Sequence, residues 1–192
     1  YATHGHTASE VIYERADSSK PFMGLTTFSG ELPIMSDVVV AKNYLTEEEL
    51  KVLNNLVSGY FDFAEIQAIR HKPMYMEDYI KQLDLILSIT GEKTLVSAGK
   101  VSHNMEMKKA KKEYKKYQLK TIVKLLDDKA AYDIKILDMK EHSPMSSYCI
   151  ICESNSERQA KAYASLIEDE LAKNNFSIHH IEGRKDNQWI LV

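Results

Sequence analysis

The amino-acid sequence predicts an α+β protein: an all-α N-terminal half, then a small α/β domain with a mixed sheet flanked by helices. Three observations carry the prediction. Up to about Tyr117, apolar residues recur at spacings of three and four between helix-start signals, the period of a helix with one buried face. In residues 133–139 and 148–152, short β-branched runs alternate or stay apolar, as strands do. Ser154 or Ser156 then opens a helix from Glu157 to Lys173, because the first free N–H groups of a helix need an acceptor. At 192 residues there is room for two small domains, expected at 1–117 and 118–192.

Thr7-Ala8-Ser9-Glu10 spells a capping box, in which Thr7 accepts from the Glu10 N–H and the Glu10 side chain reaches back. A helix should follow to about Asp17, with Ala8, Val11, Ile12 and Arg15 on one side. Residues 18–33 contain Pro21, Gly24, Gly30 and Pro33 and read as an irregular loop anchored by Met23, Leu25 and Phe28. Residues 37–42 are a short apolar run that suits a strand or a helical turn. Thr46-Glu47-Glu48-Glu49 is a second capping box. It opens the longest amphipathic helix, to about His71, with Leu50, Leu53, Val57, Tyr60 and Ala64 as its core-facing stripe. Lys72-Pro73 ends it, since proline cannot continue a helix and disfavours the α region for its predecessor.

Residues 76–89 give another helix, with Tyr79, Ile80, Leu83, Ile86 and Leu87 buried and Gly91 closing it. Residues 97–129 read as helix almost throughout. In the second half, Ile134, Ile136 and Asp138 share one face of the first strand and Lys135, Leu137 and Met139 the other. After a polar connector carrying Pro144, the nearly all-apolar run 148–152 suits a central strand covered on both faces. Further strands are expected over residues 176–181 and around Trp189, joined by a turn at Glu182-Gly183-Arg184 in which Gly183 supplies backbone freedom.

Net charge is −3, with a pI near 6.2, which removes any global electrostatic case for nucleic acid. There is no signal peptide, no apolar run long enough to span a bilayer and no disulfide framework, so a cytoplasmic location without a membrane partner is expected. Cys149 and Cys152 spell Cys-x-x-Cys, but on a strand they point to opposite faces and read as buried thiols, not as a disulfide or metal ligands. The chain opens at Tyr1 on what looks like mid-domain sequence and stops at Val192 inside an expected strand. It therefore reads as a piece of a longer protein, shortened at both ends.

Several motifs of the second half occur together. They are Leu125-Leu126-Asp127-Asp128-Lys129-Ala130, Asp133-Ile134-x-x-Leu137-Asp138, Ile150-Ile151-Cys152, Ser156-x-Arg158-Gln159-Ala160, Glu182-Gly183 and Trp189-Ile190-Leu191. In order and spacing, residues 119–192 resemble the ribosomal silencing factor (iojap) family. The resemblance implies a non-enzymatic translation repressor that binds a large-subunit ribosomal protein at the intersubunit face and blocks joining of the small subunit. It also implies that Trp189 is ribosome-binding, where the plainer reading is a core tryptophan; tryptophan is enriched among interface hot spots. Family members continue with an Asp-aromatic-Gly-Asp turn and one further strand, so the last family strand is missing here. Such an unpaired edge should destabilise the domain or invite self-association. Ser147 and Glu153-Ser154 depart from the family pattern.

The first half has motifs of its own. His4-Gly5-His6-Thr7-Ala8, Ile12-Tyr13-Glu14-Arg15-Ala16-Asp17, Met23-Gly24-Leu25, Val40-Ala41-Lys42-Asn43-Tyr44-Leu45, Lys72-Pro73-Met74 and Ala98-Gly99-Lys100-Val101-Ser102-His103 resemble the C-terminal region of RhuM-type virulence proteins. Full-length members carry an upstream segment resembling a helix-turn-helix DNA reader. A nucleic-acid partner would come only through such a segment, giving an alternative function as a virulence or mobile-element accessory protein, with the joining of the two halves incidental.

No catalytic, metal or cofactor site is expected. His4 and His6 could form half a metal site completed by His103 or Glu10, against a favoured role in capping and local hydrogen bonding. Glu14, Arg15 and Asp17 read as an ion-pair patch locking helix to loop, not as catalytic carboxylates. The lysines of residues 108–116 could touch phosphate. They also surround Met105, Ala110, Tyr114 and Tyr117 as a solvated face surrounds a packing stripe, the favoured reading. The fold implied by the resemblance is related to nucleotidyltransferases, but Glu153-Ser154-Asn155-Ser156 replaces their Gly-Ser turn and no aspartate pair follows. His179 and His180 on one strand would face opposite ways, against joint ligation.

Overall fold

The computed structural model describes residues 5–89, 91, 99–141, 147–173, 180–184 and 189–192. Within them run α1 (Ala8–Arg15), α2 (Met35–Val38), α3 (Glu47–Ile69), α4 (Met76–Ile89), α5 (His103–Asp128), β1 (Tyr132–Asp138), β2 (Tyr148–Glu153) and α6 (Glu157–Lys173). The class is α+β. The chain divides into two compact units, residues 1–27 with 35–111 and residues 28–34 with 112–192.

In the N-terminal unit both capping boxes form. Thr7 Oγ1 accepts the Glu10 N–H at 3.2 Å, and the Thr7 N–H donates to Glu10 Oε2 at 2.9 Å. Thr46 and Glu49 repeat the exchange at the start of α3. Val11 and Ile12 of α1 enter a core with Ala16, Met23, Leu25, Val38, Tyr44 and Leu45, while Ala8 is exposed. Met23 and Leu25 anchor the loop as expected, and Phe28 is half-buried. The loop tightens into a 3₁₀ turn at Pro21–Gly24, where Phe22 and Met23 take left-handed angles (φ 48° and 60°). The apolar run near residue 40 forms helical turns: α2, then a 3₁₀ turn at Ala41–Tyr44, with the Tyr44 hydroxyl donating to the Val38 carbonyl at 2.9 Å.

The stripes of α3 and α4 differ from expectation. Leu50, Leu53, Tyr60 and Ala64 are half-buried but Val57 is exposed; on α4 Leu87 is buried, Tyr79 and Ile86 half-buried, and Ile80 and Leu83 exposed. The two helices pack on each other, with the Tyr60 and Tyr79 rings 5.7 Å apart. A pair of helices covers only a narrow stripe of each, so the wider apolar face that periodicity marks as core stays in water.

Helix α5 starts later than the pattern suggests. Residues 97 and 98 lie outside the described residues, Gly99 has φ +83°, and Ser102 caps the helix by accepting the Met105 N–H at 3.3 Å. Its packing stripe holds Ala110 and Tyr114, but Met105 is exposed and the buried residue beside it is Glu106. Ala130, left-handed at φ 56°, ends the helix, and the Ala131 N–H returns to the Leu126 carbonyl at 2.9 Å.

In the C-terminal unit β1 and β2 pair antiparallel, with Ile136 opposite Ile150 and Leu137 opposite Cys149. The alternation predicted for β1 does not appear in its burial: Ile134 is half-buried while Ile136 and Leu137, expected on opposite faces, are both exposed, and a bulge between Tyr132 and Lys135, where Asp133 has φ 45°, interrupts the two-residue period. The run expected to be covered on both faces is instead half-buried, with Ile151 exposed; among the described residues β1 is its one ladder partner. Ser156 caps α6 by accepting the Gln159 N–H at 3.2 Å, and α6 buries Tyr163 and Ala164. The Tyr163 hydroxyl donates to the Lys129 carbonyl at 3.2 Å, tying α6 to the end of α5. Leu32, from segment 28–34, lines a small apolar cavity with Tyr117, Thr121, Ile122 and Leu125 of α5 and Leu171 of α6. The connector with Pro144 and residues 176–179 of the expected strand lie outside the described residues. An isolated antiparallel bridge joins Glu182 to Leu191.

Candidate functional site

Among the described residues, large exposed apolar side chains of the C-terminal unit fall in two places. Tyr132, Ile136, Leu137 and Ile151 lie on the hairpin, and Trp189, Leu191 and Val192 lie at the terminal bridge. Trp189 is 79 % exposed, so it is not a core tryptophan. Gly183, with φ +83°, sets the turn before it: a Cβ there would overlap the Trp189 carbonyl oxygen. Two exchanged backbone hydrogen bonds between Glu182 and Leu191, at 3.0 and 3.1 Å, hold the bridge. Arg184 ion-pairs with Glu168, fixing the turn to α6. His180 pairs with Glu182 at 3.0 Å; His179 lies outside the described residues.

Two lysines of the hairpin region pair with aspartates of β1, Lys135 with Asp133 and Lys140 with Asp138. The Lys140 ammonium reaches Asp138 at 2.6 Å and the Tyr148 hydroxyl at 2.9 Å, and lies 4.4 Å from the Tyr148 ring centre. The hydrogen bond to Asp138 first, then that to Tyr148, raises its pKa above the ordinary lysine value. Lys135 is raised in the same way by Asp133. Both cysteines are free, and burial pushes the Cys152 thiol up, away from the reactive thiolate. In the turn after β2, the Ser154 hydroxyl donates to the Ser156 carbonyl at 3.2 Å and the Asn155 N–H to Gln159 Oε1 at 2.8 Å, so this turn is spent on capping α6. Apolar surface with paired charge around it is suited to binding another macromolecule.

The N-terminal unit gathers its polar residues into cross-links. Arg15 grips Glu49 with two hydrogen bonds, of 2.7 and 2.6 Å, and donates to the Tyr44 carbonyl at 2.9 Å. This hydrogen-bonded carboxylate raises the Arg15 pKa further. Arg15 therefore ties α1 to the first turn of α3 through Glu49, where a lock of helix to loop with Glu14 and Asp17 was predicted. Glu14 lies 3.9 Å from His6, and Asp17 accepts the Ser19 N–H and hydroxyl. Glu10 Oε1 accepts the Lys100 N–H at 2.7 Å, and a Cβ on Gly99 would stand 2.7 Å from Thr7 Cγ2. Glu106, 4 % exposed, accepts the Ser9 hydroxyl at 2.7 Å and lies 3.2 Å from His103 Nδ1. Burial, with the Glu106 charge second, pushes the Tyr44 phenol well above its ordinary pKa.

Glu10 and His103 thus have separate partners, and His4 lies outside the described residues; among those described, no three His, Cys, Asp or Glu side chains gather to hold a metal. Lys109 lies 5.9 Å from the Tyr13 ring centre, Lys115 bonds Ser147 and Lys116 pairs with Glu113. Among the described residues no helix is long and apolar enough to cross a membrane. The sequence reading missed the remote partners of Glu49 and Glu106. An acidic residue at a packing-stripe position is the one signal that would have marked Glu106.

Thr7, from one of the stretches quoted above, lies against Gly99 from another, and Glu10, the partner of Thr7 in the capping box, accepts the Lys100 N–H. Residues 1–124 match the family model described as the virulence protein RhuM family, which is more than half of the chain. The chain belongs to the RhuM family. Residues 111–192 match a second model, described as ribosomal silencing factor during starvation, and the two matches overlap within α5. Among curated proteins, the ribosomal silencing factor RsfS of Bacillus subtilis is 38% identical over 74 residues, and that of Halalkalibacterium halodurans 31% over 74 residues. Each alignment covers 38% of this chain and 63% of the relative, so the chain spans about three-fifths of their length. Among solved structures, a Bacillus halodurans protein is 30% identical, with 38% of this chain and 68% of that one covered and a TM-score of 0.36. A Chromobacterium violaceum protein is 26% identical, with 38% and 60% covered and the same TM-score.

Proposed function

We propose that the chain is a non-enzymatic translation repressor acting in the cytoplasm, whose C-terminal unit docks on a protein of the large ribosomal subunit and blocks subunit joining. The observation that carries this reading is the 38% identity over 74 residues to a ribosomal silencing factor. The exposed Trp189 and the paired lysines of the hairpin region support it, because a steric blocker needs complementary surface and no reactive group. Co-sedimentation of the full chain with purified large subunits tests it. Binding should weaken at least about tenfold in Trp189→Ala, as for a hot-spot tryptophan, and added small subunits should fail to join the bound particles. A chain that does not sediment with large subunits removes the reading.

A second reading rests on the RhuM match, which covers the larger part of the chain. In it the N-terminal unit sets the function, as an accessory of a virulence or mobile-element protein. Retention on DNA without ribosome binding would favour it.

A further inference from the structure

Along α5 the cations are not matched by anions. Residues 107–126 hold eight lysines and a single acidic residue, Glu113, in a chain whose net charge is −3. Glu113 is buried and pairs with Lys116 at 2.9 Å. Lys108, Lys111, Lys112 and Lys115 fall at i, i+3, i+4 and i+7 and are all exposed, so they form one stripe of the helix surface. Among the described residues no carboxylate pairs with any of the four; Lys115 donates to the Ser147 hydroxyl, which carries no charge. The lysines beside the stripe turn to the protein instead. Lys109 is half-buried, 5.9 Å from the Tyr13 ring centre and within electrostatic reach of Asp17, and Lys116 takes Glu113.

A helix face that meets only water ordinarily interleaves the two signs. On α4, exposed Lys81 stands four residues after Glu77 and three before Asp84; on α6, Lys161 stands four after Glu157. Such pairs stabilise a helix, whereas like charges three or four apart destabilise it. The stripe of α5 has only like pairs at these spacings, and among the described residues nothing offsets their repulsion. An anion bound from outside would. The stripe is about 10 Å long, the length over which one strand of a nucleic acid presents about three phosphates. Lysines hold phosphate as point charges, and such contacts carry no sequence information. Between the four lysines no apolar side chain is exposed, so nothing there would enter a bilayer.

We propose that the lysine stripe of α5 binds the phosphate backbone of RNA, whatever its sequence. The choice of RNA over DNA rests on the ribosome reading; the stripe itself does not.

Fluorescence anisotropy of the full chain with a short labelled single-stranded RNA, over a series of salt concentrations, tests it. Log affinity should fall with log salt at a slope of about −2 to −3, from about three or four phosphates. Lys111→Glu with Lys112→Glu should weaken binding at least about tenfold and make the slope shallower by about 1.4. Helix content should not fall, because this change removes like charges from an exposed face. Lys81→Glu with Lys161→Glu alters net charge by the same amount and should leave RNA binding as it is. RNA left unbound by the wild-type chain at low salt overturns the proposal, and so does an equal loss in the two reversed chains. A DNA strand of the same length bound more tightly, or phosphatidylserine vesicles bound in place of RNA, overturns it in favour of those partners. A wild-type chain that binds RNA through the stripe but does not sediment with large subunits supports the proposal and removes the ribosome reading alone.

Discussion

The two units use the same local device, the helix cap, to different ends. In the C-terminal unit the cap of α6 is local: Ser156, Asn155 and Gln159 satisfy one another. In the N-terminal unit the capping glutamates also hold remote chain. Glu10 takes the Lys100 N–H, and Glu49 takes both arms of the Arg15 guanidinium. Where one carboxylate both starts a helix and ties two segments together, its loss removes secondary and tertiary support at once. The N-terminal unit should therefore be the brittle one, and the C-terminal unit tolerant of change at its caps.

The largest effect is expected at Gly24. Its φ is +82°, and a Cβ there would stand 2.8 Å from the Arg15 carbonyl oxygen, a backbone atom. Gly24→Ala combines left-handed strain with that overlap and should destabilise the N-terminal unit by roughly 2–4 kcal/mol, read by urea denaturation. Next comes Glu49→Ala, which removes a cap and leaves Arg15, itself only about a third exposed, without its carboxylate. A loss of about 2–3 kcal/mol is expected, against about 1 kcal/mol for Ser156→Ala at the cap of α6. Equal losses at these two caps would break the comparison.

The sequence showed the caps clearly and the ties hardly at all. Thr7 with Glu10, Thr46 with Glu49, and Ser156 with Gln159 stand three residues apart, so one short window holds both partners of each bond. Arg15 and Glu49 are 34 residues apart, and Ser9 and Glu106 are 97 apart, so no local pattern joins them. Periodicity also presumes that apolar residues face the core and charged ones water. The cap signal placed α6 to the residue, whereas that rule sent Met105 inward where Glu106 is buried, and it buried Ile80 and Leu83, which are exposed. The surface role proposed for Trp189 came from family resemblance. Spacing alone left the residue as readily in a core, and its exposure depends on a terminal turn set by Gly183 and by Arg184 with Glu168.

A smaller effect, of opposite sign, is expected at the junction of α5 and β1. Ala130 ends the helix in the left-handed region that glycine occupies without cost. Ala130→Gly should stabilise the C-terminal unit by about 1 kcal/mol in the same denaturation experiment. A loss instead would mean that the methyl group packs against something that outweighs the strain.

Acid should separate the two units further. The Lys100 N–H first, and the Thr7 N–H next, hold the Glu10 carboxyl below its ordinary value of 4.5. The Ser19 hydroxyl and N–H lower Asp17 in the same way. A carboxyl whose folded pKa is depressed adds stability that is fully present above its unfolded value and lost as pH falls through the folded one. The Glu10 contribution is thus intact above about pH 4.5 and fades below it. In the C-terminal unit Lys135 and Lys140 are shifted upward, so these lysines stay charged throughout the acid range, and their exposed pairs with Asp133 and Asp138 contribute little for acid to remove. Hydrogen exchange followed down from pH 6 should therefore show α1 losing protection before the β1–β2 hairpin. Glu10→Gln should start from lower protection in α1 and make its pH dependence shallower, because the amide keeps an acceptor but has no charge to lose. Simultaneous loss in both units, or an unchanged profile in Glu10→Gln, would show that the tie from Glu10 to Lys100 contributes nothing measurable to holding the N-terminal unit together.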